Sequence, residues 1–135
     1  MSHTMFATAL LGFLLVLLSL NASMTRMSKK ITIGDGDDLE MKYAMRAQAN
    51  LAEYAPIGLF LIWIMEYKFA STVMLTGVTV SFVVARYMHA IGMVFFEKPN
   101  LFRFIGTIVT WLAILAGSFQ TLKFAYYFVK SDLVL

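Results

Sequence analysis

The chain has 135 residues, of which 60% are hydrophobic and 14% charged, and its mean hydropathy is +0.76. Ordinary soluble domains carry about 25% charged residues, and eleven Lys and Arg with eight Asp and Glu cannot coat a water-soluble globule of this size. The same composition excludes a disordered tail, and the absence of cysteine excludes a disulfide scaffold, a thiol nucleophile and a Cys-based metal site. On so apolar a chain a net charge of +3 reads as membrane topology rather than nucleic-acid binding.

A membrane-spanning helix needs about 20 mostly apolar residues. In chain order, Thr4–Ala22 is uncharged, Leu51–Met65 is apolar except for Glu53 and extends back towards Leu39, Phe69–Ala85 is uncharged and continues to Phe96, and Phe104–Leu122 is uncharged and starts near Asn100. The expected fold is therefore all-α: a single domain over residues 1–135 forming an integral membrane four-helix bundle, with spans at about 4–22, 39–66, 69–96 and 100–128. The first segment lacks the basic n-region and small-residue cleavage site of a signal peptide, so it reads as a retained helix.

Three connections join these spans. The first, Ser23–Glu40, holds Arg26, Lys29 and Lys30 and then the turn Gly34-Asp35-Gly36-Asp37-Asp38, where Asp37 or Asp38 suits the N-cap of the second helix. The second, around Glu66-Tyr67-Lys68, is a tight hairpin. The third, Glu97-Lys98-Pro99-Asn100, offers Asn100 as a cap for the fourth helix. Lys and Arg favour the first and third connections, which places these on the cytoplasmic side and both termini outside.

The informative residues are charges inside the spans. Each costs at least about 2.5–3.5 kcal/mol at mid-helix, so it normally faces a bundle interior or a wet cavity. On the second helix Lys42, Arg46, Asn50 and Glu53 fall within an arc of about 80° and form one polar stripe. Gln48 lies on roughly the opposite side, Tyr54 borders the stripe, and Pro56 frees the carbonyl of Ala52. On the third helix Arg86, His89 and Met93 share a face. Arg86 reads either as a buried counter-ion to Glu53 or as a ligand contact, and His89 either as a satisfied structural histidine or as part of a site. Arg103, one turn into the fourth helix, is either an interfacial anchor or a cation that stabilises an anion at the mouth of a pocket. No His, Cys or paired carboxylates stand at metal-ligand spacing. Gly106, Ala113, Ala116, Gly117 and Ser118 would let the fourth helix pack closely.

The run Arg46-Ala47-Gln48-Ala49-Asn50-Leu51-Ala52-Glu53-Tyr54-Ala55-Pro56 resembles the signature of the MAPEG family, the membrane-associated proteins of eicosanoid and glutathione metabolism. With the Gly34-Asp35-Gly36 loop before it, the chain looks most like the small bacterial inner-membrane members. The resemblance implies a homotrimer that binds glutathione as co-substrate between neighbouring protomers, towards the cytoplasmic side. It assigns glutathione binding to Arg46, Gln48, Asn50, Glu53 and Tyr54, and to Arg86 and His89 through a third-helix R-x-x-H pattern; it likens Arg103 to a fourth-helix arginine that stabilises the thiolate. Met93 stands where that third-helix pattern often has tyrosine.

The residue chemistry agrees with the resemblance. Arg46 and Lys30 can grip the carboxylates of glutathione, Glu53 can accept its ammonium, and Asn50 can satisfy its amides. Arg103 can favour the thiolate, which is the nucleophile. The expected partners are glutathione, a lipophilic electrophile arriving from the membrane, and further copies of the chain. The activity expected is that of a glutathione transferase or peroxidase. Against it stands a non-catalytic membrane protein of the same fold, whose polar residues form a structural ion-pair network or a sensor pocket.

Overall fold

The computed structural model describes residues 1–68, 70–96 and 98–132, with the backbone alone for residues 131 and 132. Phe69, the expected start of the third span, and Glu97 of the third connection lie outside the described residues. Four helices follow in order: α1 (Ser2–Ser28), α2 (Leu39–Tyr67), α3 (Thr72–Val94) and α4 (Leu101–Asp132). α2 and α3 sit centrally; α1 packs on both, α4 packs on both, and among the described residues α1 and α4 do not touch.

The helix boundaries follow from local chemistry. The Asp38 carboxylate accepts the Met41 amide at 2.9 Å and caps α2, Ser71 caps α3 through the Met74 amide, and Asn100 accepts the Arg103 amide at 3.1 Å at the head of α4. The first connection is shorter than the sequence suggests. α1 continues six residues beyond Ala22 to Ser28, because nothing between Ser23 and Ser28 breaks a helix and Ala22 and Thr25 prolong its buried face. The chain then turns through positive φ at Lys30 (56°), Gly34 (69°), Gly36 (60°) and Asp37 (55°), and Arg26 ties the turn by donating to the Gly34 carbonyl at 3.0 Å.

α1 buries Ala7, Leu11, Leu14, Leu18 and Ala22, one stripe at helical spacing, while its opposite face exposes Phe6, Phe13, Val16 and Leu17. A helix apolar on both faces belongs in lipid. α1, α3 and the stretch Leu101–Lys130 are long and apolar enough to cross a membrane. α2, expected as a fourth span of the same kind, is long enough at 29 residues but less apolar, because the Arg46–Glu53 stripe occupies its first half. It runs unbroken through Pro56.

Two glycines let α3 and α4 approach closely. A Cβ on Gly106 would stand 2.8 Å from both the Ala85 carbonyl and the His89 amide, and one on Gly92 would stand 2.7 Å from the Arg103 amide. At the far end, Glu66 takes over the capping of α1. Its carboxylate accepts the amides of His3 and Thr4, each at 3.0 Å, and the Thr4 hydroxyl at 2.6 Å. Met1 supplies no side-chain cap of its own.

Candidate functional site

The polar stripe of α2 faces the ends of α3 and α4 nearest the first and third connections. A cavity of about 260 Å³ lies there. From α2 it is lined by Leu39, Lys42, Tyr43, Arg46 and Asn50, from α3 by His89 and Met93, and from α4 by Arg103. Three of these residues are cationic, and no acidic side chain is in the lining among the described residues. The guanidinium carbon of Arg103 stands 5.6 Å from the centre of the Tyr43 ring, and the glycine contact at Gly92 presses the backbone of Arg103 against α3. Lys42 is shared with the first connection, where it meets Asp37 at 3.1 Å.

Arg86 lies behind the cavity wall, 2% exposed. The expected ion pair with Glu53 does not form. Residues seven apart on a helix differ by only about 20° in direction, so Glu53 pairs along its own helix with Arg46 at 3.3 Å. Arg86 instead uses neutral acceptors. Its Nε donates to the Thr110 hydroxyl at 2.9 Å, Nη2 donates to the same hydroxyl at 2.5 Å and to the Gly106 carbonyl at 3.3 Å, and Nη1 donates to Asn50 Oδ1 at 2.7 Å. The Thr110 hydroxyl in turn donates to the Gly106 carbonyl at 2.7 Å. The Tyr54 ring covers the guanidinium at 5.0 Å, and Trp111 Nε1 holds the Tyr54 hydroxyl at 3.1 Å.

This chain of bonds fixes the polarity of Asn50. A guanidinium is a donor only, so the side-chain oxygen of Asn50 must face Arg86 and its NH₂ is left for the cavity. Asn50 therefore offers the cavity a donor, in keeping with Lys42, Arg46 and Arg103. The arrangement suits an anion or a row of carbonyl oxygens.

The expected site residues divide. Arg46, Asn50, His89 and Arg103 converge on the cavity; Arg86 and Tyr54 support it from behind. Gln48 does not join them, since it points to the other side of α2 and donates to Ser19 of α1 at 3.0 Å. Lys30 is exposed in the first connection and is not in the lining. Glu53 is outside the cavity, with both it and Arg46 more than half exposed on the surface of the protomer. Sequence reasoning missed Thr110, which reads as one more hydroxyl in an apolar helix, and Tyr43 as a wall residue. Among the described residues no group of three His, Asp or Glu side chains gathers as a metal site.

The family model that matches this chain is that of the MAPEG family, over residues 4–123. The inner membrane protein YecN of Escherichia coli strain K12 is 32% identical over 104 residues, covering 77% of this chain and 78% of YecN. YecN of Escherichia coli O6:H1 strain CFT073 matches to the same extent. The family match over residues 4–123 spans the polar stripe of α2, the buried arginine of α3 and Arg103 of α4, and the chain belongs to the MAPEG family.

Proposed function

We propose that this protein binds glutathione in the α2–α3–α4 cavity and transfers it to lipophilic electrophiles, as an integral protein of a bacterial inner membrane with both termini outside and the cavity facing the cytoplasm. The observation that carries the reading is the convergence of Arg46, Asn50, His89 and Arg103 on one cavity whose lining, among the described residues, has cations but no acid. In this reading Lys42 and Arg46 hold carboxylates, the Asn50 NH₂ donates to a carbonyl or carboxylate oxygen, and Glu53, tied to Arg46 at the rim, takes the ammonium. Arg103 stabilises the sulfur as thiolate, its proton leaving to water, so that the sulfur attacks the electrophile without a covalent enzyme intermediate.

Homotrimer formation belongs to the same proposal. Arg46 and Glu53 lie side by side with 60% and 52% of their side chains exposed on the protomer, within a helix flanked by lipid-facing surfaces. Charges in that position need protein or water cover, which a neighbouring copy supplies. Gln48 and Lys30, which lie off the cavity of their own protomer, would then serve the site of a neighbour.

The test is calorimetry with glutathione on the detergent-purified protein, followed by a conjugation assay. Arg103→Ala is expected to keep glutathione binding and lose conjugation. Equal loss of both would remove the thiolate role from Arg103, and no heat at millimolar glutathione in the wild type would reject the proposal. One observation favours the non-catalytic alternative: Arg86 is fully engaged by Asn50, Thr110 and Gly106, as a purely structural network would be.

A further inference from the structure

A second cavity, also about 260 Å³, lies on the other side of Tyr43. It opens between the last turns of α1, the start of α2 and the end of α3. Leu39, Tyr43 and Met93 line both cavities and so form the wall between them. That wall is close to the reactive position of the proposed chemistry, because the Tyr43 ring also faces the Arg103 guanidinium at 5.6 Å.

The two chambers differ in charge. The first is lined by Lys42, Arg46 and Arg103. Among the described residues the second has no cation in its lining and Glu40 as its ionic group, held at the rim by Lys29 at 2.9 Å. Its walls are Ala44, Val94, Phe95 and Phe96, with the amide of Asn21 and the hydroxyl of Thr25 as polar groups on α1. The first chamber favours an anion; the second, whose described carboxylate is offset by Lys29, offers an anion no partner. Size points the same way. Ligand sites for small molecules usually enclose about 300–1,000 Å³, so neither chamber alone has room for a tripeptide and a second substrate.

We propose that this second chamber is the bay for the electrophilic substrate, and that it takes neutral molecules with an apolar tail and a carbonyl-activated double bond. The tail lies among Phe95, Phe96 and Val94, and the carbonyl oxygen meets the donors of Asn21 or Thr25. The sulfur, held at Arg103, bonds to the β-carbon past Tyr43 and Met93. The π electrons of the double bond move to the α-carbon, which takes up a proton from water equivalent to the one the thiol released. Nothing is oxidised or reduced. Met93 and Tyr43 then set which electrophiles pass the wall.

The bay rests on the glutathione reading, and the experiment separates the two. Glutathione and a series of 2-alkenals of rising chain length are assayed with the full-length protein in micelles. Asn21→Phe fills the bay, and Phe96→Ala widens it. Asn21→Phe is expected to raise KM for the long alkenals at least about tenfold, in the range one or two methylenes command in a fitted pocket, with KM for glutathione unchanged. Phe96→Ala is expected to shift the preference to longer alkenals. Alkenal kinetics unchanged in both variants, or an equal loss for both substrates, would overturn the bay, and glutathione heat in the wild type would keep the first reading in place in either case. Glutathione heat with no turnover of any alkenal also rejects the bay. No glutathione heat in the wild type rejects both readings together.

Discussion

Replacing Thr110 with valine keeps the shape of the side chain and removes one hydroxyl. That hydroxyl is fully buried, accepts two bonds from the Arg86 guanidinium at 2.9 and 2.5 Å and donates to the Gly106 carbonyl. A hydrogen bond to a charged group contributes about 1.5–3 kcal/mol, but membrane-embedded bonds average nearer about 0.6 kcal/mol because the unfolded chain also finds partners. Two bonds to a buried cation therefore place the loss in Thr110→Val at about 2–4 kcal/mol. Thr110→Ser keeps the hydroxyl and loses a methyl, worth about 0.8 kcal/mol. Unfolding by detergent titration, followed by circular dichroism, should place valine well below serine. Glutathione calorimetry should show the same order, with affinity about tenfold lower in valine, because Asn50 is no longer held with its NH₂ towards the cavity. If serine and valine lose equal stability, the hydroxyl is not what holds Arg86, and the derivation of Asn50 as a donor fails.

Gly106→Ala should destabilise by about 1–3 kcal/mol, since its Cβ would meet the backbone of Ala85 and His89 at 2.8 Å. Gly77→Ala, with nothing within 4 Å, should stabilise by about 0.5–1 kcal/mol, and a thermal unfolding comparison checks the opposite signs. Glu66→Ala removes the acceptor of the first turn of α1 and should cost about 0.5–2 kcal/mol, as other lost N-caps do, with amide exchange rising at His3 and Thr4. The Asp38 carboxyl is held below its ordinary value of 3.8, first by the Met41 amide and then by Lys29. A lowered carboxyl stabilises the fold above the unfolded value and loses that contribution as the pH falls below it. Amide exchange of the first turn of α2 should therefore accelerate on acidification below that value, and Asp38→Ala should abolish the acceleration.

Much of this was legible from the residue pattern. Uncharged runs located the helices, and the spacing of Arg46, Asn50, His89 and Arg103 placed them on faces that do meet. Periodicity gives direction around one helix but not the identity of the neighbour in that direction. Gln48 was seen to point away from the stripe, yet only the packing shows that it meets Ser19 of α1. For Arg86 a carboxylate on the next helix was the obvious partner, and Glu53 was within reach of the same reasoning. Glu53 is taken by Arg46 on its own helix, and three neutral groups satisfy Arg86 instead. Threonine in an apolar helix is common, so Thr110 carried no signal by itself. The uncharged run ends at Ala22 but α1 does not, because a helix leaving the bilayer continues through polar residues at little cost.

The grip of Glu66 on the opening turn of α1 bears on how the bundle is put together. The first rod receives the fastening of its opening turn from the far end of the second, so that turn is completed only when the second has been threaded across and has brought that carboxylate back to the same side. The unit that first becomes self-sufficient during synthesis is thus the α1–α2 pair, and a carboxylate deleted at residue 66 should show up as slow or misdirected insertion before it shows up as a weaker fold.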